Sequence, residues 1–364
     1  MVAALMNVTT YAPGRAELLG NHTDYNEGLV LSLAISFGTT ISADVNDSEE
    51  INLYARTFER HWSGRLDHLA PQKRESWANY ILGVVAQLQK RGVSVGGFDA
   101  EITSTIPVGA GLSSSAALEI AAALTVQKLY PYKLSRLDIA RVGQAAEHTY
   151  AGVKCGLLDQ ISVALSKKNH ATYIDCRTFA IDHLPLDADV EFVIAHSGVK
   201  HALTAGEYNE RRESCEAAAR LLGVRALRDV TVSDLAAARA KLPERAYRRA
   251  AHVVGENDRV ARAKEFLTAG KMAEFGALMF ESHESSIHHF ENSCEELDFL
   301  VAEAKKSPAC LGARLSGGGF GGATINLVRR KDVEQFCASL SAAYEQQYGK
   351  KALILKTEAC AGAV

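Results

Sequence analysis

Two rhythms of apolar positions alternate along the first half of the chain. From residue 29 to about 58, LVLSLAISFGTTISADV and its continuation carry β-branched and apolar residues bounded by Asn and Asp, which predicts strands. Residues 77–89 (WANYILGVVAQLQ) repeat apolar positions at helical spacing and stop at Arg91-Gly92, which predicts a helix with a glycine end. Residues 97–104 read as a strand. They run into the loop TIPVGAGLSSS and then into the Ala-rich SAALEIAAALTVQKLY, a strong helix former. Strand, Gly/Ser loop and helix thus follow in immediate succession. Residues 134–150 read as another helix, and GVKCG leads into a short helical run from about Leu157.

A second unit is expected from about residue 180. Residues 189–195 (DVEFVIA) form an apolar strand pattern, and 207–222 a charged amphipathic helix. Helical patterns continue to about 305. LGARLSGGGFGGATINLV then sets a glycine turn between two strands, and 352–357 (ALILKT) read as a last strand of this unit. No Pro/Gly/Ser linker marks the boundary. At 364 residues two domains are expected, divided as 1–180 and 181–364.

Composition narrows the function. With 47% hydrophobic and 23% charged residues the chain has the balance of a soluble globular protein, and a net charge of −3 gives no reason to expect a nucleic-acid partner. The first residues, MVAALMNVTTYAPGR, lack the parts of a signal peptide, and no apolar run is long enough for a bilayer, so a cytoplasmic address and no membrane partner are expected. Seven scattered cysteines without a C-x-x-C pair point to reduced, structural thiols.

Four segments carry candidate chemistry. In PVGAGLSSSAALE, residues 107–119, glycines let backbone N–H groups approach an anion, and a helix starting at the serines aims its positive end at it. A plain strand-to-helix turn with serine caps is the alternative; no Walker-A string occurs. LSGGGFGGA, residues 315–323, is a second loop of low bulk, or simply a hairpin turn. APGRAELLGNHTDYNEG, residues 12–28, crowds Arg15, Glu17, Asn21, His22, Asp24 and Asn26 together, a density suited to a polyhydroxylated ligand or to a solvated turn. AEHTYAGVKCGLLDQIS, residues 146–162, offers Glu147 and Asp159, which could also be ordinary helix carboxylates.

With these segments in this order, the chain resembles the galactokinases, within the GHMP superfamily of small-molecule kinases. WANY at 77–80, CGLLDQ at 155–160, GEYNERR at 206–212, LRDVT at 227–231 and HVVGEN at 252–257 extend the resemblance over nearly the whole chain. The resemblance implies an α+β fold in two lobes with the active site in the cleft between them. It implies a monomer that phosphorylates a small-molecule sugar at its anomeric hydroxyl, using ATP and Mg²⁺. Asp159 would lie against that hydroxyl, with Arg15 facing Asp159 and the γ-phosphate. Asn21, His22, Asp24, Gly156 and Tyr208 would hold sugar hydroxyls. Gly109, Ala110, Gly111, Leu112, Ser113, Ser114 and Ser115 would wrap the phosphates, Trp77 would lie near the adenine, and Ser115 and Glu147 would bind the metal.

Two departures stand out. The family pattern Gly-Arg-x-Asn-x-x-Gly-Glu-His is here Gly14-Arg15-Ala16-Glu17-Leu18-Leu19-Gly20-Asn21-His22, so that asparagine and glutamate have exchanged places. Asn21 carries no charge, which implies weaker galactose binding, compensation by Glu17, or a different sugar such as N-acetylgalactosamine, arabinose or galacturonate. SIHHFENS, residues 286–293, replaces an acidic pair usual in the family. A non-catalytic sugar- and ATP-binding regulator would show defects in the serine loop or at the aspartate. Both are intact, which favours an enzyme.

Overall fold

β1 (Val8–Leu19) and β2 (Leu29–Val45) pair antiparallel from Val8↔Ala43 to Leu19↔Leu31 and form the spine of the first sheet. The computed structural model describes residues 8–200 and 204–364. The hydrophobic pattern places no strand before residue 29, and β1 is the difference. From Ala12 to Leu19 every residue is buried, so the period-two alternation that marks a half-exposed strand is missing. The β1–β2 register shifts between Pro13 and Arg15. Gly14 at this bulge lets another segment close in, because a Cβ there would lie 2.7 Å from the Leu112 carbonyl oxygen.

The first sheet continues through β3 (Glu50–Ala55), β4 (Arg60–Arg65), β5 (Phe98–Ser104), β6 (His170–Asp175) and β7 (Ile181–Pro185). The far half of β2 pairs with β5 and its near half with β6, and β3 lies parallel to β5. Between these strands come α1 (Asn79–Lys90), α2 (Ser114–Leu129), α3 (Arg136–Ala146) and α4 (Leu158–Leu165). α2 is apolar all round and rich in alanine, so it can sit deep between β1, β2 and the other helices.

The second sheet runs β11-β8-β10-β9, antiparallel throughout. It is formed by β8 (Val190–Lys200), β9 (Cys310–Ser316), β10 (Gly321–Arg329) and β11 (Leu353–Thr357). With it go α5 (Thr204–Leu222), α6 (Val232–Ala237), α7 (Glu244–Thr268), α8 (Met272–Ser285), α9 (Glu295–Lys306) and α10 (Val333–Tyr348). Val260 and Leu267 of α7, Phe275 of α8 and Leu327 of β10 join the same buried cluster as Leu31 and Ile120, so one core joins the two sheets.

The last residues return to the first sheet. Cys360 N–H donates to Ala34, Gly362 to Ser166 and Ala363 to Val163, and Val364 exchanges two backbone hydrogen bonds with Tyr11 at 2.9 and 3.0 Å. All seven cysteines are unpaired. No helix among the described residues is long and apolar enough to cross a membrane.

Candidate active site

The turn after β1 is held from below by α7. Glu256, buried in mid-helix, accepts the backbone N–H groups of Gly20 and Asn21 at 2.8 and 2.9 Å, and Asn257 accepts that of Leu29 at 2.8 Å. Burial opposes the charge on Glu256, but Arg259, His252 and Arg314 around it overcome that opposition and hold its pKa far below the usual carboxylate range. His252 completes the clamp at the Asn21 carbonyl. The HVVGEN string is therefore an anchor for the segment carrying Asn21, His22 and Asp24.

Arg15 on β1 joins three parts of the cleft. Its Nε and Nη2 reach Asp159 Oδ1 at 2.9 and 2.7 Å, and its Nη1 donates to the Gly111 carbonyl at 2.6 Å. Asp159 sits in the first turn of α4, where the helix dipole favours a carboxylate. Its other oxygen accepts from the Ser113 hydroxyl at 2.5 Å. Ser113 takes a left-handed backbone (φ 55°) just ahead of α2, which turns its side chain to the aspartate.

The two glycine loops touch. A Cβ on Gly111 would lie 2.8 Å from the Ser316 carbonyl oxygen, and one on Gly317 would lie 2.9 Å from that of Gly111; both positions have positive φ. A cavity of about 390 Å³ lies between the loops, lined by Gly109, Gly111, Ser316, Phe320 and Gly322 among others. Beside the start of α2 a more apolar pocket of about 320 Å³ takes in Trp77, Tyr80, Ile102, Leu118, Ser114 and Ser115.

A third cavity, about 160 Å³, gathers Arg15, Glu17, Asn21, His22, Asp24, Glu147, Gly156, Asp159 and Tyr208. It lies below the range of drug-sized sites and suits one small polar molecule. Gly156 must be glycine here, since a Cβ would fall 2.0 Å from the Asp24 carboxylate. His22 spends both ring nitrogens on the protein. The Gly318 carbonyl can only accept, so Nε2 carries the hydrogen and donates to it at 3.2 Å, while Nδ1 accepts from the Tyr25 hydroxyl at 2.8 Å. Burial lowers the His22 pKa to about 3, so the ring is neutral.

Carboxylates in the cleft are short of solvent. Burial pushes Glu147 up to about 7, helped by Asp159, and Glu17 up to about 7 against the pull of Arg314 and Arg15. Glu147 hydrogen-bonds with Ser115 and with the Gln160 amide at 2.9 Å. The same Gln160 nitrogen reaches the fully buried Glu119 at 3.0 Å. Burial, and next Glu147, raise the Glu119 pKa well above its usual range.

Asp24 gives a pH test. Loss of solvent and then the charge of Asp159 raise its pKa to about 6 in the folded chain. In the unfolded chain it ionises near the ordinary value of about 4, so it costs the fold stability as pH rises through that window. Asn does not titrate. We expect Asp24→Asn to gain a few degrees in thermal midpoint over the parent at pH 7 compared with pH 4. A difference that stays constant in melts across that range contradicts the expectation.

The structure therefore brings Arg15, Asp159, Asn21, His22, Asp24, Gly156, Tyr208 and Glu147 to one cavity, and Trp77, Ser114 and Ser115 to the neighbouring pocket. Glu119, Gln160 and Asn292 are site-supporting groups that sequence reasoning did not single out. Within SIHHFENS, Asn292 has a defined structural role. Its amide donates to the Asn21 side-chain oxygen and to the Gly318 carbonyl, and its own carbonyl receives the Phe320 N–H at 2.7 Å. This segment is the backing of the second glycine loop.

Known proteins resemble this chain in sequence and backbone. Residues 79–167 match the GHMP kinases N terminal domain, 263–346 the GHMP kinases C terminal domain, and 4–45 the galactokinase galactose-binding signature. The chain is 41% identical over 356 residues to a galactokinase of Chloroflexus aurantiacus, spanning 96% of this chain and 91% of that one. It is 41% identical over 361 residues to a galactokinase of a Roseiflexus species, spanning 98% and 92%. Its backbone matches the crystal structure of Lactococcus lactis galactokinase complexed with galactose at a TM-score of 0.95 and 32% identity, over 99% of this chain and 95% of the other. A mevalonate kinase shares the fold, with a TM-score of 0.69 and 19% identity over 97% and 99%.

Proposed function

The chain belongs to the galactokinase family and has the GHMP kinase fold, and from that premise we propose that it transfers the γ-phosphoryl group of ATP to the C1 hydroxyl of galactose. The observation that carries this reading is the position of Arg15, which holds Asp159 at the sugar-sized cavity with one end of its guanidinium and the glycine loop with the other.

The C1 oxygen attacks the γ-phosphorus as the bond to the β-phosphate oxygen breaks and ADP leaves. The hydroxyl proton passes to Asp159. An anomeric hydroxyl is more acidic than an ordinary alcohol, which suits a carboxylate acceptor. Both Asp159 oxygens are already fixed, by Arg15 and by Ser113, so the group meets substrate in one orientation. Arg15 stabilises charge on the transferring group. The backbone of Gly109–Leu112 and the end of α2 at Ser114 and Ser115 face the phosphates, and the apolar pocket of Trp77 takes the adenine. Glu147 and Ser115 present hard oxygens to one another beside that loop, a donor set that fits Mg²⁺ and would hold it. When bound, the ion supplies further neutralisation of phosphate charge.

The exchange of Glu17 and Asn21 keeps a second reading in play, a kinase of another sugar with the same chemistry. A panel of hexoses, hexosamines and uronic acids with MgATP, read by ADP release, separates them. Turnover highest on galactose is expected; activity confined to an aminosugar or a uronic acid would replace galactose in the assignment, and none on any sugar would overturn it.

A further inference from the structure

Hydrogen-bond accounting at the exchanged pair separates two residues that both line the small cavity. Asn21 has two amide hydrogens. One goes to the Gly317 carbonyl at 2.8 Å and the other to the Glu17 carboxylate, 3.1 and 3.3 Å from its two oxygens. The Asn21 oxygen accepts from Asn292 at 2.9 Å. Asn21 therefore has no hydrogen left for a ligand, and one of the two acceptor sites on its oxygen is already taken. Glu17 is in the opposite condition. Its two oxygens, with about four acceptor sites, share one amide hydrogen and stand 3.7 Å from the nearest Arg314 nitrogen. Arg314 is fully buried behind it, with Nε and Nη2 unpartnered. A carboxylate with acceptor capacity to spare thus faces the cavity, with a buried positive charge at its back.

We propose that Glu17 is the specificity-determining residue of this chain, its carboxylate accepting a hydrogen bond from one hydroxyl of the bound sugar, and that Asn21 is a positioning residue whose amide hydrogens are spent on holding Glu17 and the Gly317 carbonyl. The proposal rests on the sugar-kinase reading above and deepens it. With Asp24 also in the cavity, Glu17 favours a neutral sugar over one bearing its own carboxylate, which would bring like charges together.

The test pairs protein variants with substrate variants. kcat/KM is measured for the parent, Glu17→Gln, Asn21→Glu and the exchange Glu17→Asn/Asn21→Glu, on the preferred sugar of the ADP-release panel and on each of its monodeoxy forms. In the parent, assayed at a pH above 7 where the Glu17 carboxyl is ionised, one deoxy form is expected to fall about 10- to 100-fold through loss of its hydrogen bond to that group. Glu17→Gln is expected to fall similarly on the full sugar but to lose little more on that one deoxy form, while the other deoxy forms fall with the full sugar. That non-additivity is the mark of direct contact. Asn21→Glu alone sets two carboxylates together and should lose more than the exchange, which restores one carboxylate and one amide. Equal losses for Glu17→Gln on every deoxy form, or an exchange no better than Asn21→Glu, overturn the proposal. Thermal melts check folding, and if Glu17→Gln does not fold, Glu17→Asp carries the test, since its retracted carboxylate must lose rate on the full sugar and little more on that same deoxy form. Parent activity on a sugar other than galactose would revise the substrate and leave the cycle applicable to that sugar; no activity on any sugar would end both readings.

Discussion

Asp159→Asn is expected to lower turnover by about 10²- to 10⁴-fold, with sugar and nucleotide binding largely kept. The substitution preserves shape and leaves an amide whose oxygen Arg15 can still hold, while its NH2 donates to the Ser113 hydroxyl instead of accepting from it. It removes the acceptor for the C1 proton and the negative charge opposite Arg15. Because Asp159 keeps 26% of its side chain in solvent, the ion pair is a modest contributor to folding, and the loss should be read in rate. ADP release under saturating substrates measures turnover, and titration of the sugar measures binding. Turnover within tenfold of the parent in a well-folded variant would remove Asp159 from the chemistry.

Arg15→Met is expected to cost about 10²- to 10³-fold in kcat, the usual effect of deleting one preorganised group that meets transition-state charge. It differs from Asp159→Asn in what else it releases. The Gly111 carbonyl loses its partner at 2.6 Å and the glycine loop loses one of its ties to β1, so KM for ATP should rise as well. Arg15→Lys keeps the charge but cannot reach Asp159 and Gly111 with one rigid fork, and should recover only part of the rate. Since the two residues act as a unit, the double variant Arg15→Met/Asp159→Asn should be far less impaired than the product of the single effects. Losses that multiply cleanly would mean that the pair is not acting as one.

These residues were legible in the sequence to unequal degrees. The glycine loops and α2 announce themselves because their chemistry is local: glycine supplies positive φ and close approach, and alanine supplies a helix that can be buried on all sides. Arg15 and Asp159 could be paired only through resemblance, since 144 positions separate them and no local pattern predicts their contact. β1 was hidden because it is buried on both faces and carries Pro13-Gly14 at its bulge. Glu119 lies inside an alanine-rich helix, where a lone carboxylate looks like a solvated charge, yet it is fully buried beside Gln160. The meaning of SIHHFENS depends on Asn292 reaching a residue 271 positions away. Tertiary partners decide such cases, and a periodic pattern carries no record of them.

The return of residues 360–364 to β1 and α4 sets an order on biosynthesis. The strand bearing Arg15 leaves the ribosome long before Val364, and its outer hydrogen bonds at Tyr11 wait for that residue. At roughly 5–20 residues per second this delay lasts for tens of seconds. Over that interval the first sheet has an open seam, and severing the molecule between its two sheets would leave that seam unsealed.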